Sequence, residues 1–306
     1  MAMSETCLVF DTKRYAINDG PGVRVTIFLK GCPLNCAWCH NPESISPKME
    51  KMFSAKKCIG ALNCIADCPE DALSMDPELG VVTDVDACTM CGDCTENCPT
   101  GAMEMVAEPM SVPDVIKTVL EERQIIEQSS GGVTFSGGEP LMHFKFLIEA
   151  LDECGREGFH RTVDTSGMTS ESILLEVAKR TDHWLYDLKC MDSDNHLKWT
   201  GVRNEKILAN LKTLAATGAS ISIRIPLIEG VNADDQNIIA SALFISALEG
   251  QPKQVNILPY HKIAENKYIK LGREISLEGM AEPTPERQQE IVKLFESHGL
   301  EVIVGG

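Results

Sequence analysis

From about residue 111 onward, stretches with an apolar residue at every second position alternate with stretches where apolar residues recur every three to four. The clearest period-two run is Ser220 to Ile225, where Ile221, Ile223 and Ile225 share one face, the mark of a strand with one buried side. Similar short runs predict strands over 133–135, 161–163 (ending at Asp164), 183–188, 254–258 and 300–304. An apolar run over 23–29 predicts one more, nearer the N-terminus. Helices are predicted between them, over 144–157, 170–180, 205–217 and 234–248. A helix over 111–128 opens at Ser111-Val112-Pro113-Asp114 and is broken by Gly131-Gly132. The last helix has Thr284 as N-cap, Pro285 at its first position, Glu286 in its first turn and Gly299 past its end. Roughly six strand–helix units in succession imply an α/β protein with a parallel sheet. The segment 50–108 interrupts the series and reads as a separate unit.

The cysteines give this frame a chemistry. Cys32, Cys36 and Cys39, spaced C-x3-C-x2-C, directly follow the apolar run 23–29. That puts them in the loop at a strand's end, where α/β barrels form their sites. Three thiolates can hold three irons of a [4Fe–4S] cube and leave the fourth open to a small molecule, whereas four thiolates permit only the passage of electrons. Spacing alone leaves open a zinc site completed by His40. Within 50–108, Cys88-x2-Cys91-x2-Cys94-x3-Cys98-Pro99 matches the bacterial ferredoxin run. An earlier copy has Cys58, Cys64 and Cys68-Pro69, with Ala61 where a cysteine is expected. In such paired runs the fourth cysteine ligates the other cluster. Cys88, Cys91 and Cys94 with Cys68 then make one complete auxiliary [4Fe–4S] site. Cys58, Cys64 and Cys98 are left with three thiolates, for a [3Fe–4S] cluster, a [4Fe–4S] cluster with a non-cysteine ligand, or nothing stable. Asn63 and Asp67 lie near, and the sequence favours neither. Cys7, Cys154 and Cys190 stand alone and are expected to pack as small hydrophobes.

Charge and length narrow the class. The chain has 306 residues, enough for one barrel-sized domain plus an insertion. Its net charge of −17 argues against nucleic-acid binding through a basic face. No apolar run approaches the roughly 20 residues that span a bilayer. Met1 to Val9 lacks a basic stretch followed by a long apolar core. With most of its thirteen cysteines in metal-type groupings and no leader, the expectation is a cytoplasmic, oxygen-sensitive protein with no membrane partner.

Further motifs sit at the other predicted strand ends. They are Gly137-Gly138-Glu139-Pro140, Asp164-Thr165-Ser166-Gly167, Asp187-Leu188-Lys189, Arg224-Ile225-Pro226 and Pro259-Tyr260-His261, with Asp19-Gly20-Pro21-Gly22-Val23-Arg24 before the first strand. With the cysteine triad and Cys39-His40-Asn41-Pro42-Glu43, the chain resembles the radical S-adenosylmethionine superfamily and, within it, the activating enzymes of glycyl radical enzymes. The resemblance runs from about residue 7 to the C-terminus. It implies a partial (β/α)6 TIM-type barrel over 1–49 and 109–306, with an α+β bacterial-ferredoxin-like domain inserted at 50–108. It also implies reductive cleavage of S-adenosylmethionine at the Cys32/Cys36/Cys39 cluster and abstraction of a Cα hydrogen from a glycine of a partner enzyme. Gly137, Gly138 and Glu139 would hold the cofactor's amino group. Asp164, Thr165 and Asp187 would bind a monovalent cation beside its carboxylate, and Lys189 would contact that carboxylate. Arg224 and His261 would complete the cofactor site. The implied partners are a large glycyl radical enzyme, through its C-terminal glycine loop, and a flavodoxin or ferredoxin as electron donor, with the chain itself a monomer. Competing readings are a radical enzyme acting on a small molecule or another side chain, an electron-transfer iron–sulfur protein, and a zinc-stabilised interaction protein.

Overall fold

The computed structural model describes residues 5–251, 253–273 and 279–305. Strands β1 (Thr6–Ala16) and β2 (Arg24–Leu29) pair antiparallel across the turn at Asp19-Gly20-Pro21-Gly22. The insertion follows as β3 (Lys51–Phe53), α1 (Asn63–Ala66), β4 (Leu73–Asp76), β5 (Gly80–Thr83), α2 (Asp93–Glu96) and β6 (Met103–Met105). The chain returns through β7 (Glu108–Ser111) and helices α3 (Val112–Glu121) and α4 (Arg123–Gln128). From there strand and helix alternate: β8 (Gly132–Gly137), α5 (Phe144–Arg156), β9 (His160–Thr165), α6 (Glu171–Ala178), β10 (His183–Asp187), α7 (Ser193–Thr200) and α8 (Glu205–Ala216). The last elements are β11 (Ile221–Leu227), α9 (Asp235–Ser246), β12 (Gln254–Pro259), α10 (Glu265–Lys270), α11 (Pro285–Ser297) and β13 (Glu301–Val304).

Nine strands make one sheet in the order β13-β12-β11-β10-β9-β8-β2-β1-β7. From β2 to β13 every pairing is parallel and sequential. Right-handed crossovers in that order put the helices that link successive strands on one face, where α3, α5, α6, α8, α9 and α11 form the core. The sheet is mixed rather than all parallel, because β1 pairs antiparallel with both β2 and β7. Sequence periodicity missed β1, whose Asp11, Lys13, Arg14 and Tyr15 point largely to solvent and blur the alternation. The helix expected over 111–128 is two helices. They meet at Glu122 (φ −103°, ψ 9°), whose carboxylate accepts from Arg14 at 2.6 Å.

Alternation along the strands sorts two faces. Val25, Ile27, Val133, Phe135, Val163, Trp184, Tyr186, Ile223 and Val255 are fully buried against the helices in one core. The intervening positions carry Arg24, Thr26, Thr134, Ser136, Thr162, Asp164, Asp187, Ser222, Arg224 and Asn256, aligned across strands by the register. A closed (β/α)8 barrel fills its interior with branched apolar side chains. Here the interior is hydroxylic and charged, which suits a polar ligand. Among the described residues no helix is long and apolar enough to cross a membrane.

Candidate functional site

Strand β2 delivers Lys30, Gly31 and Cys32 to the carboxyl end of the sheet. The loop that follows is held by backbone hydrogen bonds at both sides. The Gly31 and Cys32 amides donate to Ser44 and Ile45, while those of Asn35 and Ala37 donate to the Thr200 and Trp199 carbonyls, the last of α7. Trp38 anchors the loop in a small apolar cluster with Cys190, Ile228, Val231, Tyr260 and Met280. α7 was not predicted, because its polar Ser193 to Thr200 lacks an apolar stripe. Burial raises all three thiols, Cys39 to about 12. A buried bare thiolate is unfavourable there, so the loop suits cysteines that lose their protons to bound iron. Lys189 acts on Cys36 in the opposite direction.

The Gly137-Gly138-Glu139 segment lies against this loop. A Cβ on Gly138 would fall 2.1 Å from the Gly31 carbonyl, and one on Gly137 (φ +114°) 2.3 Å from that of Leu29. These glycines therefore let the end of β8 press on the cysteine loop. Glu139 is fully buried. Its carboxylate accepts from Thr165 Oγ1 (2.7 Å), the Ser166 amide (2.8 Å), Ser166 Oγ (2.5 Å) and the Leu141 amide (3.1 Å). Both oxygens thus tie the loop after β8 to the loop after β9. Burial raises its carboxyl, against the pull of these donors. Gly167 belongs to the same junction: a Cβ there would overlap the Tyr186 hydroxyl at 1.7 Å.

Two acid–base pairs stand at the same end of the sheet, and Lys189 and Asp187 of one of them act on the Cys36 thiol. Arg224 donates to Asp164 Oδ2 at 3.1 Å, and Ser136 Oγ donates to the same oxygen at 2.6 Å. Lys189 Nζ meets Asp187 Oδ2 at 2.6 Å. Burial pushes the Asp164 carboxyl up, Arg224 opposes this, and the nearby charge of Asp187 adds to the rise. Burial lowers the Arg224 guanidinium, but Asp164, Asp187 and Asp19 outweigh it and leave it raised. Thr165 is buried, donates to Glu139 and accepts from the Gly167 amide at 2.9 Å. His261 lies after β12, half exposed, with Nδ1 3.5 Å from Glu282.

Three groups of site residues escaped the sequence reading. Asn256 sits beside Arg224 in the β11–β12 register, and its Oδ1 is buried without a partner among the described residues. An orphan acceptor facing a polar interior is what a bound ligand would satisfy. Asparagines 204, 210, 232 and 237 staple the mouth loops by donating to carbonyls of Cys190, Gly167, Lys189 and Asn232. A charge network also links the cysteine loop to the insertion. Lys30 and Arg273 both bind Glu50, Lys267 binds Glu43, and Arg273 donates to the Pro42 carbonyl at 2.6 Å. Only the ionic side chains of that network are visible in the sequence, not their pairing.

In the insertion, Cys68, Cys88, Cys91 and Cys94 line one pocket together with Lys51. Lys51 Nζ lies 3.7 Å from Cys94 Sγ. Cys58, Cys64 and Cys98 act on one another electrostatically at a second locus. At Cys98, burial is outweighed by the Met103, Thr100 and Ala102 amides, which bring the thiol down to about 7. Among the described residues no three His, Cys, Asp or Glu side chains converge tightly enough to hold a single metal ion. Four cysteine thiols lining one pocket are a donor set that fits an iron–sulfur cube.

Comparisons with known proteins agree with this arrangement. Residues 87–242 match the Radical SAM superfamily, 18–72 a 4Fe-4S single cluster domain and 57–102 a 4Fe-4S dicluster domain. The chain is 39% identical to the trans-4-hydroxy-L-proline dehydratase activating enzyme of Clostridioides difficile, over 98% of this chain and 99% of the relative. It is 35% identical to the benzylsuccinate synthase activating enzyme of Thauera aromatica, over 98% and 92%. A solved domain of a pyruvate-formate lyase-activating enzyme from Bacteroides vulgatus is 41% identical, with TM-score 0.50, covering 57% of this chain and 99% of that one. Streptococcus suis SuiB bound to its precursor peptide shares the fold at TM-score 0.55 and 14% identity, over 94% of this chain and 49% of that one.

Proposed function

The chain belongs to the radical S-adenosylmethionine superfamily and, within it, to the activating enzymes of glycyl radical enzymes, and we propose that Cys32, Cys36 and Cys39 hold its catalytic [4Fe–4S] cluster. When bound, that cluster supplies one electron to the sulfonium of S-adenosylmethionine, giving methionine and a 5′-deoxyadenosyl radical that takes the Cα hydrogen of a glycine in the partner.

The observation that carries this assignment is the placement of three thiols, each raised by burial, at the same end of a polar sheet interior as two half-buried acid–base pairs. Lys189 and Arg224 would meet the cofactor's carboxylate, each already held by one aspartate. Asp164, Thr165 and Asp187 offer hard oxygens for a monovalent cation between those acids. Glu139 acts by fixing the loops after β8 and β9, so the amino group would be met by the Gly137-Gly138 backbone it positions. Asn256 Oδ1, without a partner among the described residues, offers an acceptor for a hydroxyl or amine of the nucleoside. His261 lies at the outer rim of the same edge.

The insertion reads as a ferredoxin-like unit over 50–108. Cys68, Cys88, Cys91 and Cys94 would hold a complete auxiliary [4Fe–4S] cluster, and Cys58, Cys64 and Cys98 a second, incomplete one. The partner is a glycyl radical enzyme whose glycine loop enters the barrel mouth. A flavodoxin or ferredoxin would donate electrons to a monomeric, cytoplasmic protein.

The test is anaerobic. The parent, reconstituted with iron and sulfide, reduced and given S-adenosylmethionine, forms 5′-deoxyadenosine, while Cys36→Ala falls to the level of a protein-free control. A fully loaded parent that forms none, alone and with glycyl radical enzymes of the relatives' kinds, would overturn the assignment.

A further inference from the structure

The two cysteine runs of the insertion fold to one backbone even though a thiol is missing from the first. Gly60 (φ +71°) and Leu62 (φ +63°) correspond to Met90 (φ +56°) and Gly92 (φ +98°). Leu62 and Gly92 are the N-caps of the four-residue helices α1 and α2. The Cys58 amide donates to Ser54 as the Cys88 amide does to Asp84, at 3.2 and 3.1 Å. The Ala72 amide donates to Cys68 Sγ at 3.3 Å, and the Ala102 amide to Cys98 Sγ at 3.2 Å. Ala61 therefore stands where Cys91 stands, and both are exposed. Leu62 holds a left-handed backbone that disfavours it by roughly 1–2 kcal/mol. Met90 of the complete run carries the same strain, so the incomplete loop keeps the cluster-binding shape at no greater cost than its complete copy.

Asn63 and Asp67 occupy the positions of Asp93 and Asn97 in the complete run. There four cysteines surround one pocket and those two positions have no ligand to supply. The shared backbone gives Asn63 and Asp67 the same disposition, and both are exposed.

We propose that Cys58, Cys64 and Cys98 hold a three-iron face whose fourth corner, beside Ala61, is a solvent-facing position for an exchangeable ferrous ion. This rests on the reading of the insertion as a two-cluster unit. Uptake is balanced: a [3Fe–4S] cluster reduced by one electron takes one Fe2+ from solution and becomes [4Fe–4S]2+ with no further electron. Loss requires an oxidant, which accepts one electron as Fe2+ leaves and the oxidised [3Fe–4S] cluster remains. The complete site, with its fourth thiolate, does not exchange.

The experiment uses full-length protein carrying Cys32→Ala, Cys36→Ala and Cys39→Ala, so that only iron in the insertion is counted. Anaerobic reconstitution should load about eight irons per chain. Ferricyanide with a chelator should remove about one and produce the near-isotropic EPR signal of an oxidised three-iron cluster. Ferrous ion with a reductant should abolish that signal. Adding Ala61→Cys should keep all the iron and give no signal. About four irons without Ala61→Cys, rising to about eight with it, would mean an empty site and overturn the proposal. So would a full load that resists ferricyanide, since a protein side chain would then close the corner. Absence of iron in both proteins would overturn this proposal and the two-cluster reading together.

Discussion

Arg24 and Arg224 stand on the same face of the same sheet, both inside strands, Arg24 fully buried and Arg224 half-buried, yet their partners differ in kind. Arg24, at the amino end, donates to Thr134 Oγ1 (2.7 Å), the Pro21 and Val133 carbonyls (2.6 and 2.8 Å) and Thr162 Oγ1 (2.9 Å). Its hydrogen bonds go to neutral oxygens and the His160 ring, and burial pulls it down to about 10. Arg224, at the carboxyl end, pairs with Asp164 and is raised by three aspartates despite its burial. Neutral dipoles fixed around a charge make an anchor, because nothing in that shell is free to leave. A carboxylate facing a polar interior can share its cation with an incoming anion. The kind of partner, more than the difference between full and partial burial, separates the structural end of the sheet from the end that would hold ligand.

The largest effect should come from substituting one arginine at each end. Arg24→Met leaves several buried acceptors without donors, at about 3 kcal/mol or more in total. Thermal melting should show a fall of roughly 10 °C. Arg224→Lys keeps a cation beside Asp164 but loses the planar fork, so melting should barely move while kcat/KM for S-adenosylmethionine falls about tenfold or more. Equal melting losses in the two variants would erase the distinction between the ends.

Much of this contrast could be read from sequence, and for identifiable reasons. Parallel strands buried on one side advertise themselves by alternation, so β8 to β13 were legible, and with them the row of motifs at their carboxyl ends. β1 and β7 were not, because one carries charges on its outer positions and the other contains Pro109, which an edge strand tolerates. Arg224 was flagged as a charge in an apolar strand. Arg24, flagged by its motif, proved to be an anchor. Glu139 was legible as important but not for its contacts, since only the fold brings Thr165 and Ser166 to it. The asparagine staples were invisible: an asparagine near a helix start is ordinary, and its distant carbonyl partner is a tertiary fact.

The amino end should also respond to acid. His183 hydrogen-bonds to Ser220 Oγ (2.9 Å) and Ser222 Oγ (3.2 Å), and burial, then His160 and Arg24, depress it to about 4. Its neutral form is favoured in the fold, against an ordinary value of 6.5. The stability this contributes is fully present above the unfolded value and lost as pH falls through the window toward the folded one. Between pH 7 and 5 the loss should be about 2 kcal/mol. Urea melts of the parent and His183→Gln at several pH values would check it, the variant being flatter over that window. Parallel curves would show that His183 does not stay neutral in the fold.

The smallest effect should be at Asn256, and its value lies in its sign. The buried Oδ1 has no hydrogen-bond partner among the described residues, so Asn256→Val should raise the melting temperature of the free protein by a degree or two, the consequence of about 0.5–1 kcal/mol. If that oxygen accepts from bound S-adenosylmethionine, the same change should weaken binding about fivefold, by a similar energy. An anchor such as Arg24 cannot behave this way, since its loss destabilises the free protein and the bound protein alike. Calorimetric melting with and without S-adenosylmethionine, alongside a binding titration, reads both quantities on one variant. Stability and affinity moving in opposite directions would place Asn256 with Arg224 at the ligand-facing end. A common fall would place it with Arg24, as a strand residue whose oxygen serves the fold.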